Sequence, residues 1–159
     1  MEITIIAAGK AKLKFLDMGI AEYLKRLQPY AKVRIIETKE EKMPDSPSEA
    51  EKAQILDAEG KLMLSKVTQR SYIILLDVFG RELSSEELAD KIADLQLHGK
   101  SRITFIIGGT FGVSEELRHR ADLRLSLSRM TFTHPMARLL LTEQIYRAFK
   151  IIRGEKYHW

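Results

Sequence analysis

The sequence predicts an α/β domain with a mostly parallel sheet flanked by helices. Three observations predict it. Apolar runs alternate with amphipathic stretches from one end of the chain to the other. Two of those runs, Tyr72–Leu76 and Ile103–Ile107, are almost unbroken, as strands are when helices cover both faces of their sheet. Serine-led capping signals open several of the stretches between the runs.

Ile3–Ala8 is the first expected strand. A helix over about Leu13–Leu27 follows, because Leu16, Ile20, Leu24 and Leu27 recur at helical spacing and Pro29 stops the pattern. Val33–Ile36 is the second strand, and the charged stretch 38–47, with two prolines, is a surface loop. Ser46-Pro47-Ser48-Glu49 reads as a capping box with proline at the first helical position, opening a helix to about Lys66. After Tyr72–Leu76, Ser84 and Glu87 form a second capping box, followed by Leu88, Ile92 and Leu95 and closed by Gly99. Ile103–Ile107 leads to a short helix after Ser114. Leu123–Leu127 alternates, so one of its faces is polar or lines a site. The last helix starts at Pro135.

A chain of 159 residues fits one domain over its whole length, with a core that needs no covalent staples. It has no cysteine, which excludes disulfides, thiolate metal sites and cysteine nucleophiles. His98, His119, His134 and His158 show no metal-binding spacing, so no metal is expected. The opening Met1-Glu2-Ile3-Thr4 has neither the basic start nor the apolar length of a signal or a membrane span, and a cytoplasmic protein is expected.

Charge is unevenly placed. Beyond residue 128 the chain carries Arg129, Arg138, Arg147, Lys150, Arg153 and Lys156 against Glu143 and Glu155 alone, while the first 128 residues balance. Tyr146, Phe149, Tyr157, His158 and Trp159 are mixed among these cations. Cations with aromatics suit a polyanion that also offers bases for stacking, namely RNA or single-stranded DNA.

Gly108-Gly109-Thr110-Phe111-Gly112 follows a buried run, where a ligand approaches backbone closely in α/β proteins. Glu115 and Glu116 in the next helical turn, and the lack of Lys or Arg inside the loop, disfavour phosphate there. No GxxxxGK[ST] or GxGxxG is present, so a neutral or cationic ligand is expected rather than ATP, GTP or NAD. Leu127–Pro135 is long and polar enough to line a pocket. His134 stands at a helix start as a cap or a packing residue. Asp77, just beyond Leu76, occupies a common ligand position.

The last helix spreads Met136, Leu139, Leu140, Leu141, Ile145, Tyr146, Phe149 and Ile152 over more than half its circumference. A helix lying on one sheet face needs an apolar stripe only slightly wider than about 100°. A homodimer through this helix is expected, with Leu140 and Ile145 at the interface.

In order, the chain reads Leu76-Asp77 before Gly80, Ile106-Ile107-Gly108-Gly109-x-x-Gly112, Leu125-Ser126-Leu127-Ser128-x-Met130-Thr131, His134-Pro135-x-x-Arg138, Glu143-Gln144-x-Tyr146-Arg147-Ala148 and a final Tyr157-His158. This series resembles the RlmH family of SPOUT-class RNA methyltransferases over the whole chain. The resemblance implies a parallel sheet with a C-terminal trefoil knot, a homodimer, and methyl transfer from S-adenosylmethionine to N3 of a pseudouridine in helix 69 of 23S rRNA. It implies a cofactor site on Leu76, Gly108 and Leu127, Ser128, Arg129, Met130, Thr131 and Phe132. His158 or Tyr157 is the implied base and His134 the second candidate, while Arg138 holds phosphate or the developing oxygen charge. Arg138, Arg147, Lys150, Arg153 and Lys156 are the expected RNA contacts. Trp159 ends the chain where relatives often carry a basic residue. Two other readings share these features: a non-catalytic ribosome-associated RNA-binding protein, and a SPOUT methyltransferase acting on transfer RNA.

Overall fold

A computed structural model describes residues 1–157; His158 and Trp159, and the roles expected of them, lie outside the described residues. The elements run β1 (Glu2–Ala8), α1 (Lys14–Leu27), β2 (Lys32–Thr38), α2 (Glu49–Ser65), β3 (Tyr72–Glu82), α3 (Ser85–Leu97), β4 (Arg102–Ile107), α4 (Glu115–Arg120), β5 (Leu123–Ser126) and α5 (His134–Ile152). The five strands are parallel throughout and lie in the order β2-β1-β4-β3-β5.

The handedness of parallel crossovers sorts the helices. The connections β1→β2 and β3→β4 step the same way along the sheet and place α1 and α3 on one face. The connections β2→β3 and β4→β5 step the opposite way and place α2 and α4 on the other. Alternate residues of each strand feed the two layers. Ile3, Ile5, Ile74, Ile103 and Phe105 pack under α1, α3 and α5, whereas Ile6, Ile73, Leu75 and Ile106 pack under Met63 of α2 and Leu117 of α4.

Three boundaries depart from the sequence reading. The box that opens α2 is Ser48 with Glu51, because the Ser48 hydroxyl reaches the Glu51 N–H at 3.1 Å; Ser46 and Pro47 precede the helix. Thr133 takes the cap position of α5 with no side-chain bond, so His134 is the first helical residue and not a cap. β3 does not end at Leu76: residues 77–80 bulge out and the strand rejoins β5 at Arg81 and Glu82. Gly80 permits this, since a Cβ there would lie 2.6 Å from the Arg124 carbonyl carbon.

The apolar breadth of α5 has an internal cause. The helix lies on β1 and β4 between α1 and α3, burying Leu141, Ile145, Ala148 and Phe149, while Tyr146 meets Tyr23 and Tyr30 at ring distances of 5.9 and 6.2 Å. Ile145 is fully buried in the chain's own core, not placed on an outer face, and Leu140 is only half-buried. Burying one such aliphatic side chain is worth about 1.5–3 kcal/mol. No helix is long and apolar enough to cross a membrane among the described residues.

Candidate functional site

The carboxyl ends of β4, β3 and β5 open onto a cavity of about 690 Å³, within the range of small-molecule sites. Leu76, Ile107 and Leu125 form its floor at the strand ends. The glycine turn after β4, the 77–80 bulge, the loop after β5 and the first turn of α5 wall it. The turn is closed by the Gly112 N–H bonded to the Gly109 carbonyl at 3.2 Å, with Gly112 at φ +97°. Gly108 is a close-approach residue: a Cβ would stand 2.5 Å from Val113 Cγ1 and 2.8 Å from the Gly112 carbonyl oxygen. The loop after β5 is internally tied. The Ser126 hydroxyl donates to the Ser128 carbonyl at 2.8 Å, and the Met130 N–H donates to the Ser128 hydroxyl at 3.0 Å.

Asp77 organises the polar wall. Its buried carboxylate accepts from the Phe79 N–H at 3.0 Å, from Arg124 at 3.0 Å and from Arg118 at 3.3 Å. Burial pushes this carboxyl up, but the Phe79 bond and the Arg124 and Arg118 guanidiniums outweigh burial and hold it below its ordinary value. Arg118 faces the cavity yet is engaged on Asp77 and Glu115. The alternation of Leu123-Arg124-Leu125-Ser126 carried this signal, since it places Arg124 and Ser126 on one face. At the mouth, Phe79 and Met130 are mostly exposed.

At the other end of the same edge, beyond β1 and β2, side chains fill the space. Arg138 is 2 % exposed; it donates to Glu37 at 2.7 Å and to the Gly9 carbonyl at 3.1 Å, while its Nε has no partner among the described residues. Glu40 accepts from the Thr110 N–H at 3.2 Å and from its hydroxyl at 3.3 Å, fastening the loop after β2 to the glycine turn. A Cβ on Gly9 would lie 2.8 Å from Glu40 Oε2 and 3.7 Å from His134 Nε2, so both groups close over the end of β1. No sequence pattern marked Glu37 or Glu40.

Of the eight residues expected to form a ligand site, Leu76, Gly108, Leu127, Ser128, Met130, Thr131 and Phe132 line the cavity; Arg129 is exposed outside it. His134 lines it too. Arg138 does not, and its burial on Glu37 removes it as a direct phosphate contact. Tyr157 is not a lining residue either: its hydroxyl donates to Glu86 at 2.8 Å and its carbonyl accepts from Arg147 at 3.1 Å, which turns the tail back along α5. The other C-terminal cations are largely engaged. Arg147 pairs with Glu143, Lys150 with Glu155, and Arg153 donates to the Pro29 carbonyl over the Tyr30 ring. Lys156 is exposed. No cluster of three or more potential metal ligands occurs among the described residues.

Comparison with known proteins points to one family. A family model described as predicted SPOUT methyltransferase matches residues 1–158. A Carboxydothermus hydrogenoformans protein named ribosomal RNA large subunit methyltransferase H is 54% identical over 158 residues, 99% of each chain. The Bacillus pumilus protein of the same name is 51% identical over the same share of both chains. Among solved structures, a probable methyltransferase from Bordetella pertussis superposes with a TM-score of 0.54 at 8% identity, covering 92% of this chain and 95% of that one. A probable methylase family protein from Haemophilus influenzae gives 0.52 at 15% identity, covering 99% and 70%. These two bear on the fold alone.

Proposed function

The chain belongs to the SPOUT methyltransferase family, and on that premise we propose that it is an S-adenosylmethionine-dependent enzyme that methylates N3 of a pseudouridine in helix 69 of 23S rRNA. The observation that carries the proposal is the glycine-walled cavity at the carboxyl ends of β4, β3 and β5, whose facing guanidinium, Arg118, is already engaged by carboxylates. Such a site suits a ligand that bears a sulfonium and no phosphate. Its volume and its backbone edge at Gly108 fit that cofactor.

In this reading Leu76, Gly108 and the loop Leu127–Phe132 hold S-adenosylmethionine, with the Arg129 side chain turned to solvent. When bound, that group supplies a methyl already activated on sulfur. The protein's part is then to orient the acceptor, exclude water and take one proton. Orientation alone contributes up to about 7–11 kcal/mol. The apolar floor and the mouth residues Phe79 and Met130 exclude water. His158 or Tyr157 of the terminal motif is the first candidate to take the proton from N3, and His134, which lines the cavity, is the second. Relatives named for ribosomal RNA of the large subunit support the substrate.

A homodimer belongs to the same proposal. Its expected face is α5, on which Leu140 is half-buried while Ile145 lies in the chain's own core. The C-terminal knot and a cytoplasmic location follow from the family reading.

Titration with S-adenosylhomocysteine, followed by modification mapping of 23S rRNA from a deletion strain after treatment with the enzyme, tests the proposal. Binding heat and a methyl on N3 of a helix 69 pseudouridine are expected. Ribosomal RNA binding with no cofactor heat identifies a non-catalytic binder, and modification of transfer RNA alone moves the substrate.

A further inference from the structure

We infer that Lys10, Lys12, Lys14, Lys39 and Lys42 form a phosphate-binding surface that leads the RNA backbone to the mouth of the cavity. The inference rests on the RNA-substrate reading above and adds a contact surface that the charge distribution along the chain concealed.

Sheet register brings these lysines together. Ala8 and Thr38 are paired across β1 and β2, and the Gly9 N–H bonds to the Thr38 carbonyl at 2.8 Å. Lys10 and Lys39, which follow, therefore leave adjacent strands about 5 Å apart on the same edge. Lys12 and Lys14 continue along the loop into the first residue of α1, and Lys42 lies on the loop that begins at Lys39. All five are exposed.

Their charge is available. None of the five lies within ion-pair distance of a carboxylate among the described residues. Of the carboxylates nearby, Glu37 is paired with Arg138, while Glu40 is hydrogen-bonded to the neutral Thr110 and keeps its charge. Asp17, Glu40, Glu41 and Asp45 lie in the same stretch, four carboxylates against the five ammonium groups. In the C-terminal segment, by contrast, Arg138, Arg147 and Lys150 are each paired with a carboxylate.

Position supplies the direction. Gly9, immediately before Lys10, is within reach of His134, which lines the cavity. A backbone held along these ammonium groups thus arrives where a base enters the site. Lysines act as point charges and read no sequence, so they position the strand and leave selection to the cavity.

The test compares three variants of the full chain: Lys10→Ala/Lys12→Ala/Lys14→Ala, Lys39→Ala/Lys42→Ala, and a control, Lys61→Ala/Lys66→Ala/Lys100→Ala, which removes exposed lysines elsewhere. Affinity for 23S rRNA is measured across a potassium chloride series, with methylation kinetics and S-adenosylhomocysteine affinity alongside. The first variant should flatten the slope of log K against log salt by about 2 and raise KM for RNA about tenfold, at unchanged cofactor affinity and kcat; the second should do the same to a smaller extent. The control should leave the slope at its wild-type value. Unchanged slopes in the first two variants, or equal flattening in the control, overturn the surface while wild-type methylation still stands. A wild type that binds cofactor but neither binds nor methylates the RNA overturns the substrate reading, and the surface with it.

Discussion

The two halves of the sheet's carboxyl edge are built alike, from parallel strand ends and the loops that leave them, yet one encloses a cavity and the other is filled. Beyond β4, β3 and β5, glycines withhold side chains and Asp77 draws Arg118 and Arg124 to one wall, so space remains. Beyond β1 and β2, Arg138 enters from α5 and occupies the gap between Glu37 and the Gly9 carbonyl, with Glu40 closing over the turn. The difference teaches that a strand end becomes a site only where nothing long and charged reaches it from across the fold. The open half leaves room for a small molecule, and the closed half turns its outer lysines to solvent.

The largest expected effect comes from emptying the filled half. Arg138→Ala should lower stability by about 2–3 kcal/mol in urea unfolding, less than the 3–5 typical of breaking a fully buried pair because Glu37 is 38% exposed. Arg138→Met retains the volume and should lose less. Equal losses would show that the pair acts by charge and not by filling.

Filling the open half comes next. Gly108→Ala places a methyl against Val113 and the Gly112 carbonyl, and S-adenosylhomocysteine binding should weaken at least about tenfold, or 1.4 kcal/mol. Calorimetry on a variant with unchanged circular dichroism measures it. Wild-type affinity there would mean that the turn does not shape the site.

Asp77→Asn should cost about 1–2 kcal/mol at neutral pH by loosening the polar wall. The folded carboxyl lies below its ordinary value, so the stability it contributes is present above the unfolded value near 3.9 and is lost as pH falls through the folded one. The gap in urea midpoint between wild type and variant should therefore be constant above about pH 5 and close on further acidification. A gap that widens in acid would mean that the folded Asp77 carboxyl lies above its ordinary value.

The smallest effect joins the halves. Glu40→Ala removes both bonds to Thr110 and should weaken cofactor binding about twofold, whereas Glu40→Gln keeps an acceptor and should bind as wild type. Identical behaviour of the two variants would show that the glycine turn stands without the clamp.

Much of the open half was legible in sequence. The glycine series, the polar loop after β5 and the alternation through Arg124 are local patterns, and local patterns report strand ends and turns. The filled half was not legible. Glu37 and Arg138 are 101 residues apart, and neither sits in a motif that marks pairing. The breadth of α5 was ambiguous for the same reason: a helix wedged between α1 and α3 has the same pattern as one awaiting a second chain.

The sequence by itself determined the order and kind of the elements, because periodicity and capping depend on neighbours within a few residues. It also determined where backbone lies bare, because glycine is visible one residue at a time. Only the tertiary structure decided which charges face water. Pairing depends on strand order and helix placement, which bring Arg138 to Glu37 and leave Lys10 and Lys39 at one sheet edge with no ion-pair partner among the described residues. Charge counted along a chain ignores such contacts, whereas desolvation and ion pairing act only through space.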